Sequence, residues 1–506
     1  LLLARWGVII ENHYGRPMDI EWVKDEETDA FFVVQARPET VHSQTKTDAL
    51  KTYTFTESPP PPLFTGISIG SSIVSGTVKI VHNYSDLKEI DRQTVLVTEM
   101  TEPDWVPALR QAAGIITDFG GRTCHAAIVS RELNLPAVVG TGKGTTSLTD
   151  GQKITLSTAS GETGFIYPGL LNYRIEEVNA ENLPRTKTCI MLNLAAPESA
   201  FKWWRLPVSG VGLTRLEFII SIHIKIHPLA LVYPDRIKDE EEIRKIRKMT
   251  GGYSDMRHYF VDKLAEGVSK IAASRYPDPV IVRTSDFKTN EYAGLIGGKY
   301  FEPHEENPML GWRGACRYYS TEYSEGFELE CRALKKVREQ MGLTNVIVMI
   351  PFCRSLKEAE KVLDTLSRFG LKRGLNGLKI YMMCEVPSNV LLAEKFATYF
   401  DGFSIGSNDL TQLILGVDRD SEHLTHLFDE NDPAVKQAVR SVIKTCRRTG
   451  TETGFCGQAP SDDPGYAKFL VSCGINSISV TPDSAVSVIR AVAEAEAEQQ
   501  ARSVPV

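Results

Sequence analysis

The chain has 506 residues, 42% of them hydrophobic and 24% charged, with a formal net charge of −7, a balance that excludes disordered, collagen-like and generally nucleic-acid-binding classes. The length allows roughly three domains of about 150 residues, each large enough to bury a core. Nine cysteines, odd in number and without CxxC pairs, point to reduced thiols instead of disulfides or zinc, so any metal is expected to be oxygen-bound.

The opening run LLLARWGVII is too short and too interrupted to cross a bilayer, and no signal peptide with a small-residue cleavage site is visible. A soluble, cytoplasmic protein with neither nucleic acid nor membrane as partner is expected. The start lacks methionine and reads as the middle of an amphipathic helix, as a truncated chain would. Residues 1–40 continue with PMDIEWV and AFFVVQARP around the acidic turn KDEETD, which predicts a hairpin too small to be a domain. Residues 41–62 are polar and end in SPPPP, a stiff tail that joins neither sheet nor helix, and read as a linker.

Residues 63–168 alternate β-branched runs (GTVKIV, TVLVTEM, GIITD, PAVVG, KITL) with glycine turns and at least one helix, a compact α/β domain. Residues 169–187 are polar, acidic and proline-punctuated and read as a second linker. At roughly 3.3 Å per residue, a linker of about 20 residues spans at most about 65 to 70 Å, so the central domain is free to swing. Over residues 188–506 the runs TCIMLNL, GVGLT, PVIVRTSD, NVIVMIP, LKIYMMCE, GFSIGSND, TETGFCG and NSISV alternate with helical stretches. Continuous buried strands in that order predict a parallel (β/α)8 barrel, with an open doubly wound sheet as the alternative.

In GGRTCHAAIVSREL, His125 follows a glycine turn at the start of a helix, with Arg122 and Thr123 beside it. Backbone N–H groups at a helix start, an arginine and a hydroxyl suit a phosphoryl group, and a neutral imidazole with a pKa near about 6.5 is a nucleophile. Spacing alone leaves a structural helix-capping histidine equally open. In the barrel region, Arg215, Arg283, Glu385, Asn408 and Asp409 each lie just past an apolar strand, where barrel enzymes carry their catalytic groups. Glu385 and Asp409 offer oxygens for Mg²⁺. Arg215 and Arg283 offer planar forks for carboxylate and phosphate. Together they describe a site for a small anionic keto acid.

GGRTCHAA followed by LNLPAVVGTG resembles the phosphohistidine signature of phosphoenolpyruvate (PEP)-utilising enzymes. The Thr-Cys before the histidine, with EMTEPDW at Glu99–Trp105, is most similar to the PEP synthase type. RLEFII, VRTSDFKTNEYAGLIGG, EENPMLGWRGACRYYS, MCEVPSN, IGSNDLTQLILGVDRDS and FCGQAPSD match the family's motifs in order. The resemblance implies a swivelling phosphohistidine domain of β/β/α type with His125 as carrier, supported by Arg122 and Thr123, and a PEP/pyruvate barrel. It further implies Cys456 as proton donor to the enolate, Gly406, Ser407 and Asn408 as substrate contacts, and a homodimer through the barrel. HYGRPMDIEW and VVQARPET are similar to the last hairpin of an ATP-grasp domain, with Glu21, Gln35 and Arg37 facing the nucleotide. The glycine-rich loop and basic residues that hold ATP would lie upstream.

The implied reaction converts pyruvate, ATP and water to PEP, AMP and phosphate through phosphohistidine, and this chain alone is expected to run the PEP/pyruvate half. The alternatives are a pyruvate phosphate dikinase, a PEP-dependent phosphocarrier similar to enzyme I of the sugar phosphotransferase system, and a non-catalytic fragment.

Overall fold

A computed structural model describes residues 2–38, 50–70, 72–83, 87, 90–101, 105–121, 125–132, 135–159, 163–178, 182–418, 424, 427–482 and 484–503. The first helix, Leu2–Tyr14, precedes the expected hairpin, in which β1 (Met18–Lys24) and β2 (Phe31–Pro38) pair antiparallel.

Seven strands then close on themselves. They are β4 (Phe64–Ile69), β5 (Ile73–Ile80), β6 (Thr94–Thr98), β7 (Gly114–Thr117), β8 (Ala137–Val139), β9 (Lys153–Ser157) and β10 (Thr163–Pro168), ordered β10-β4-β8-β7-β6-β5-β9. Only β5-β6, β6-β7 and β7-β8 run parallel. Parallel neighbours need a crossover, and the β7-β8 crossover contains the helix His125–Glu132.

The two stretches read as linkers also carry strands. β3 (Leu50–Phe55) and β11 (Tyr173–Val178) pair antiparallel, Leu50 opposite Val178 and Phe55 opposite Tyr173. LKTYTF and YRIEEV are rich in the β-branched and aromatic residues that suit a ladder, and the prolines follow β3 instead of interrupting it.

Eight parallel strands form the larger barrel: β12 (Cys189–Asn193), β13 (Val211–Arg215), β14 (Val280–Arg283), β15 (Val346–Ile350), β16 (Ile380–Cys384), β17 (Gly402–Ile405), β18 (Glu452–Phe455) and β19 (Ser477–Val480). Consecutive strands are neighbours and β12 pairs with β19 to close the ring, which rules out the open sheet. Period-two alternation divides the side chains between two cores. Leu213, Ile281, Ile347, Met349, Tyr381, Met383 and Cys456 fill the interior, while their neighbours, such as Val280 and Val282, pack outward against the helices.

The helix Pro433–Thr449 shows how that outer layer is built. Asp432 accepts from Ala434 N–H as N-cap, Pro433 takes the first turn, and Val435, Val439, Val442, Ile443 and Cys446 are buried along one face. Each buried aliphatic side chain contributes roughly 1.5 to 3 kcal/mol, so a charge at Val439 would unseat the helix. Among the described residues no helix is long and apolar enough to cross a membrane.

Candidate active site

The C-terminal ends of the barrel strands gather most of the residues singled out in the sequence. Arg215 and Arg283 end β13 and β14 and stand directly opposite each other in register. Glu385 follows β16, Gly406 follows β17 and caps the helix Ser407–Leu415 whose first turn holds Asn408 and Asp409, and Cys456 follows β18. The electrostatic surroundings of the Cys456 thiol include Glu385, Arg215 and Arg283, so residues spread over some 240 positions of chain share one mouth.

Three further charged residues complete the cluster. Glu217 accepts from the Arg283 guanidinium and, at 2.7 Å, from Asp286 N–H. Asp286 is gripped by Arg313 through Nε at 3.1 Å and Nη2 at 2.6 Å, and the same Nη2 lies 3.4 Å from Asp409 Oδ2. The chain Glu217–Arg283–Asp286–Arg313–Asp409 is therefore continuous across the segments that follow three strands, β13, β14 and β17. Sequence reading missed Glu217, Asp286 and Arg313. The first two lie two and three residues past the arginines that end β13 and β14. Arg313 comes from a long loop, and its glycine-flanked place in GWRGA was the one available signal.

Glu385 is fully buried, and Phe352 N–H donates to its Oε1 at 2.7 Å. Asn389 fixes the start of its loop: Oδ1 accepts from Glu385 N–H at 3.3 Å and Val386 N–H at 3.0 Å, and Nδ2 donates to Cys353 O at 2.7 Å. Burial, then the nearby Asp409 and Asp286, push the Glu385 carboxyl well above the carboxylate range, against the pull of Arg283 and Arg313. Three carboxylates, Glu217, Asp286 and Asp409, thus face three arginines, and a divalent cation beside Glu385 would favour its ionised form and reverse that rise. Among the described residues no three His, Cys, Asp or Glu side chains form a ready-made metal cage. A pair of carboxylates completed by ligand oxygens and water is the donor set that suits Mg²⁺.

Cys456 is buried, donates from Sγ to Ile405 O at 3.5 Å, and has its own carbonyl held by Asn193 Nδ2 at 3.3 Å. Burial pushes its thiol up, with a Ser404 hydrogen bond and the two arginines acting against and Glu385 adding to the rise. It is therefore a protonated thiol at neutral pH. Beside it, a Cβ on Gly457 would lie 1.7 Å from Ser407 Oγ, so only glycine fits there. Ser407 is itself buried and donates its hydroxyl to Glu430. What this turn offers a ligand at Ser407 is therefore backbone. Asn408 is partly exposed beside it.

His125 is the first residue of the helix His125–Glu132. The loop leading to it is clamped by neighbouring strand ends: Asp118 N–H donates to Thr98 O and Phe119 N–H to Glu99 O, both at 3.0 Å. The Asp118 carboxylate accepts from Thr141 Oγ1 at 3.1 Å and Thr145 N–H at 3.2 Å. Arg122 and Thr123 lie outside the described residues, as do Glu102 to Asp104 of EMTEPDW. On the hairpin, Glu21 is opposite Gln35 and Asp19 opposite Arg37. Arg37 Nη2 reaches Glu21 Oε1 at 3.8 Å on an exposed face.

A closed parallel barrel with arginines, buried carboxylates and a thiol at its C-terminal mouth, joined to a second barrel that starts a helix at a histidine, defines a multidomain enzyme for small anions. The PEP-binding domain of PEP-utilising enzymes matches residues 172–497, the mobile domain of the same enzymes matches 90–161, and the AMP/ATP-binding domain of pyruvate phosphate dikinase matches 1–57. The chain belongs to the PEP-utilising enzyme family. It is 52% identical over 505 residues to a phosphoenolpyruvate synthase of Synechocystis sp., covering 98% of this chain and 61% of that protein. Phosphoenolpyruvate synthases of Aquifex aeolicus (48% over 551 residues; 98% and 64% covered) and Escherichia coli (49% over 492 residues; 97% and 62%) are similarly related. The chain spans about three fifths of the length of these curated relatives.

Proposed function

We propose that the chain carries the phosphoryl-carrier and PEP/pyruvate parts of a phosphoenolpyruvate synthase, whose complete form converts pyruvate, ATP and water to PEP, AMP and phosphate. The observation that carries this reading is the Cys456 thiol beside Arg215, Arg283 and Glu385 at one barrel mouth. The match of residues 1–57 to an AMP/ATP-binding domain supports ATP as the other phosphoryl source and speaks against a pure phosphocarrier. The hairpin residues Glu21, Gln35 and Arg37 would belong to that ATP site.

In the PEP-to-pyruvate direction, Arg215, Arg283 and Arg313 bind the carboxylate and phosphate as planar donors. The His125 imidazole, supported by Arg122 and Thr123, attacks phosphorus; the P–O bond to the enol oxygen breaks as the N–P bond forms. Cys456 then gives its proton to the methylene carbon, yielding pyruvate, and regains a proton from solvent. Its raised thiol keeps that proton available at neutral pH. Glu385 and Asp409 would hold Mg²⁺, with Gly406, Ser407 and Asn408 lining the same turn. Bound there, Mg²⁺ supplies Lewis-acid stabilisation of negative charge on the substrate oxygens. Release of a phosphorylated His125 to a distant ATP site requires the central domain to move, and a homodimeric, cytoplasmic enzyme is the expected setting.

Incubation with PEP labelled in its phosphate, with Mg²⁺, should label the protein, and His125→Ala should stay unlabelled. A fully labelled His125→Ala variant would overturn the assignment. Cys456→Ala should lose exchange of solvent protons into the methyl group of pyruvate, and normal exchange would remove Cys456 from its role.

A further inference from the structure

The mouth contains an uncharged residue that touches both halves of the charged cluster. Phe352 follows β15, is buried, and has φ +49°, a left-handed conformation that a bulky side chain adopts only under constraint. Its backbone N–H donates to Glu385 Oε1 at 2.7 Å. Its ring centroid lies 4.1 Å from the Arg313 guanidinium and 4.6 Å from that of Arg354, within the range of cation–π attraction.

The surrounding contacts explain why the strained backbone persists. Arg354 is tied back to the Arg313 loop, donating from Nη2 to Gly311 O at 2.5 Å and from Nη1 to Arg313 O at 3.3 Å. Ala315 N–H donates to Pro351 O at 3.1 Å. Gly314, at φ +62°, has no room for a Cβ, which would meet Phe352 Cβ at 2.6 Å. Asn389 holds the other side by bonding Cys353 O and the Glu385 turn. Phe352 is thus pinned from the Arg313 loop and from the Glu385 loop at once.

We infer that Phe352 is a positioning residue that sets Glu385 and Arg313 in one frame: its strained N–H fixes the carboxylate, and its ring fixes the guanidinium that grips Asp286 and reaches Asp409. The inference rests on the proposed PEP/pyruvate site and adds a residue that acts through two others. If the ring is removed, the two guanidiniums lose their common surface. The backbone bonds at Pro351 and Cys353 then hold the left-handed conformation without the ring's contacts, and the N–H is held less firmly against Glu385.

The test uses the full chain with Phe352→Leu, which keeps bulk but no ring, and Phe352→Tyr, which keeps the ring. Two readouts are taken, Mn²⁺ affinity by electron paramagnetic resonance and the rate of labelling from PEP, with melting temperature as a check on folding. Phe352→Leu should weaken Mn²⁺ binding about tenfold and slow labelling at least about tenfold, whereas Phe352→Tyr should stay within about twofold in both. A Leu variant equal to the original protein in both readouts overturns the inference. So does a Tyr variant that falls as far as Leu, because packing alone would then be its role. If the original chain binds Mn²⁺ but takes no phosphoryl group from PEP, the functional reading fails while the Mn²⁺ series still decides Phe352. If it binds no Mn²⁺, the carboxylate assignment and the inference fall together.

Discussion

Glu330, on the helix Ser324–Lys335, is a fully buried carboxyl with a structural consequence that pH exposes. Ser285, between Arg283 and Asp286, donates its N–H to Glu330 Oε2 at 3.0 Å and its hydroxyl to Oε1, and the Ser285 hydroxyl also meets Tyr292 OH at 2.7 Å. Burial pushes the Glu330 carboxyl from 4.5 to about 7, with the two Ser285 bonds acting against, Glu217 adding and Arg317 opposing. A folded-state value above the unfolded one means that folding favours the protonated form. The stabilisation is fully present below about pH 4.5 and is lost as pH rises through about 7. That displacement corresponds to roughly 3 kcal/mol at about 1.4 kcal/mol per tenfold. For a barrel of about 300 residues, with an unfolding entropy near 2.1 cal/mol/K per residue, it amounts to about 5 °C in melting temperature. Glu330→Gln keeps an oxygen for Ser285 and cannot ionise. Followed by circular dichroism, the barrel transition of the unaltered protein should fall between pH 5 and pH 8 by about 5 °C more than that of Glu330→Gln. The variant should then be the more stable of the two at pH 8. Equal slopes for the two proteins, or an equal deficit of Glu330→Gln at both pH values, would refute the reasoning.

Glu217→Gln leaves the Arg283 guanidinium without its nearer carboxylate in a largely buried setting, with only Asp286 at 3.9 Å remaining. A broken buried pair costs about 3 to 5 kcal/mol, and the KM for PEP in the labelling assay should rise at least about tenfold. Gly457→Ala places a methyl group on Ser407 Oγ; the protein should fold, yet deuterium uptake into pyruvate followed by NMR should drop about a hundredfold, because Cys456 is displaced with its neighbour. Thr54→Pro removes a backbone N–H from the middle of the β3–β11 ribbon, and limited proteolysis should then cut near residues 50–55 while the barrel's melting stays unchanged.

The barrel was legible because its strands are buried on both faces and read as continuous apolar runs: all eight runs quoted from the sequence became β12 to β19. In the central barrel, FTGISI and TGFIYP escaped notice because glycine and proline dilute them, and they are β4 and β10. The β3–β11 ribbon went unseen for a related reason. β3 and β11 are short, and among the described residues each pairs with a strand about 120 residues away. At the site, Arg215, Arg283, Glu385 and Asp409 were singled out because they stand at or close behind the ends of apolar runs. Arg313 and Phe352 were not. The first depends on a long loop folding back to Asp286, and the second on a positive φ and a ring between guanidiniums, neither of which leaves a period in the sequence.

The β3–β11 ribbon also says something about modularity. Phe55 and Tyr173 face each other in register, so the segment that holds the central barrel enters and leaves through a single doorway about 5 Å wide. It is a cassette: cutting it out and joining Phe55 to Tyr173 through a two-residue turn would turn the ribbon into an ordinary hairpin. Chains with adjoining ends tolerate insertion and permutation. The histidine-bearing cassette and the anion-binding barrel are therefore expected to fold when expressed apart, so that mixing them would separate the chemistry of each from the geometry of their tether.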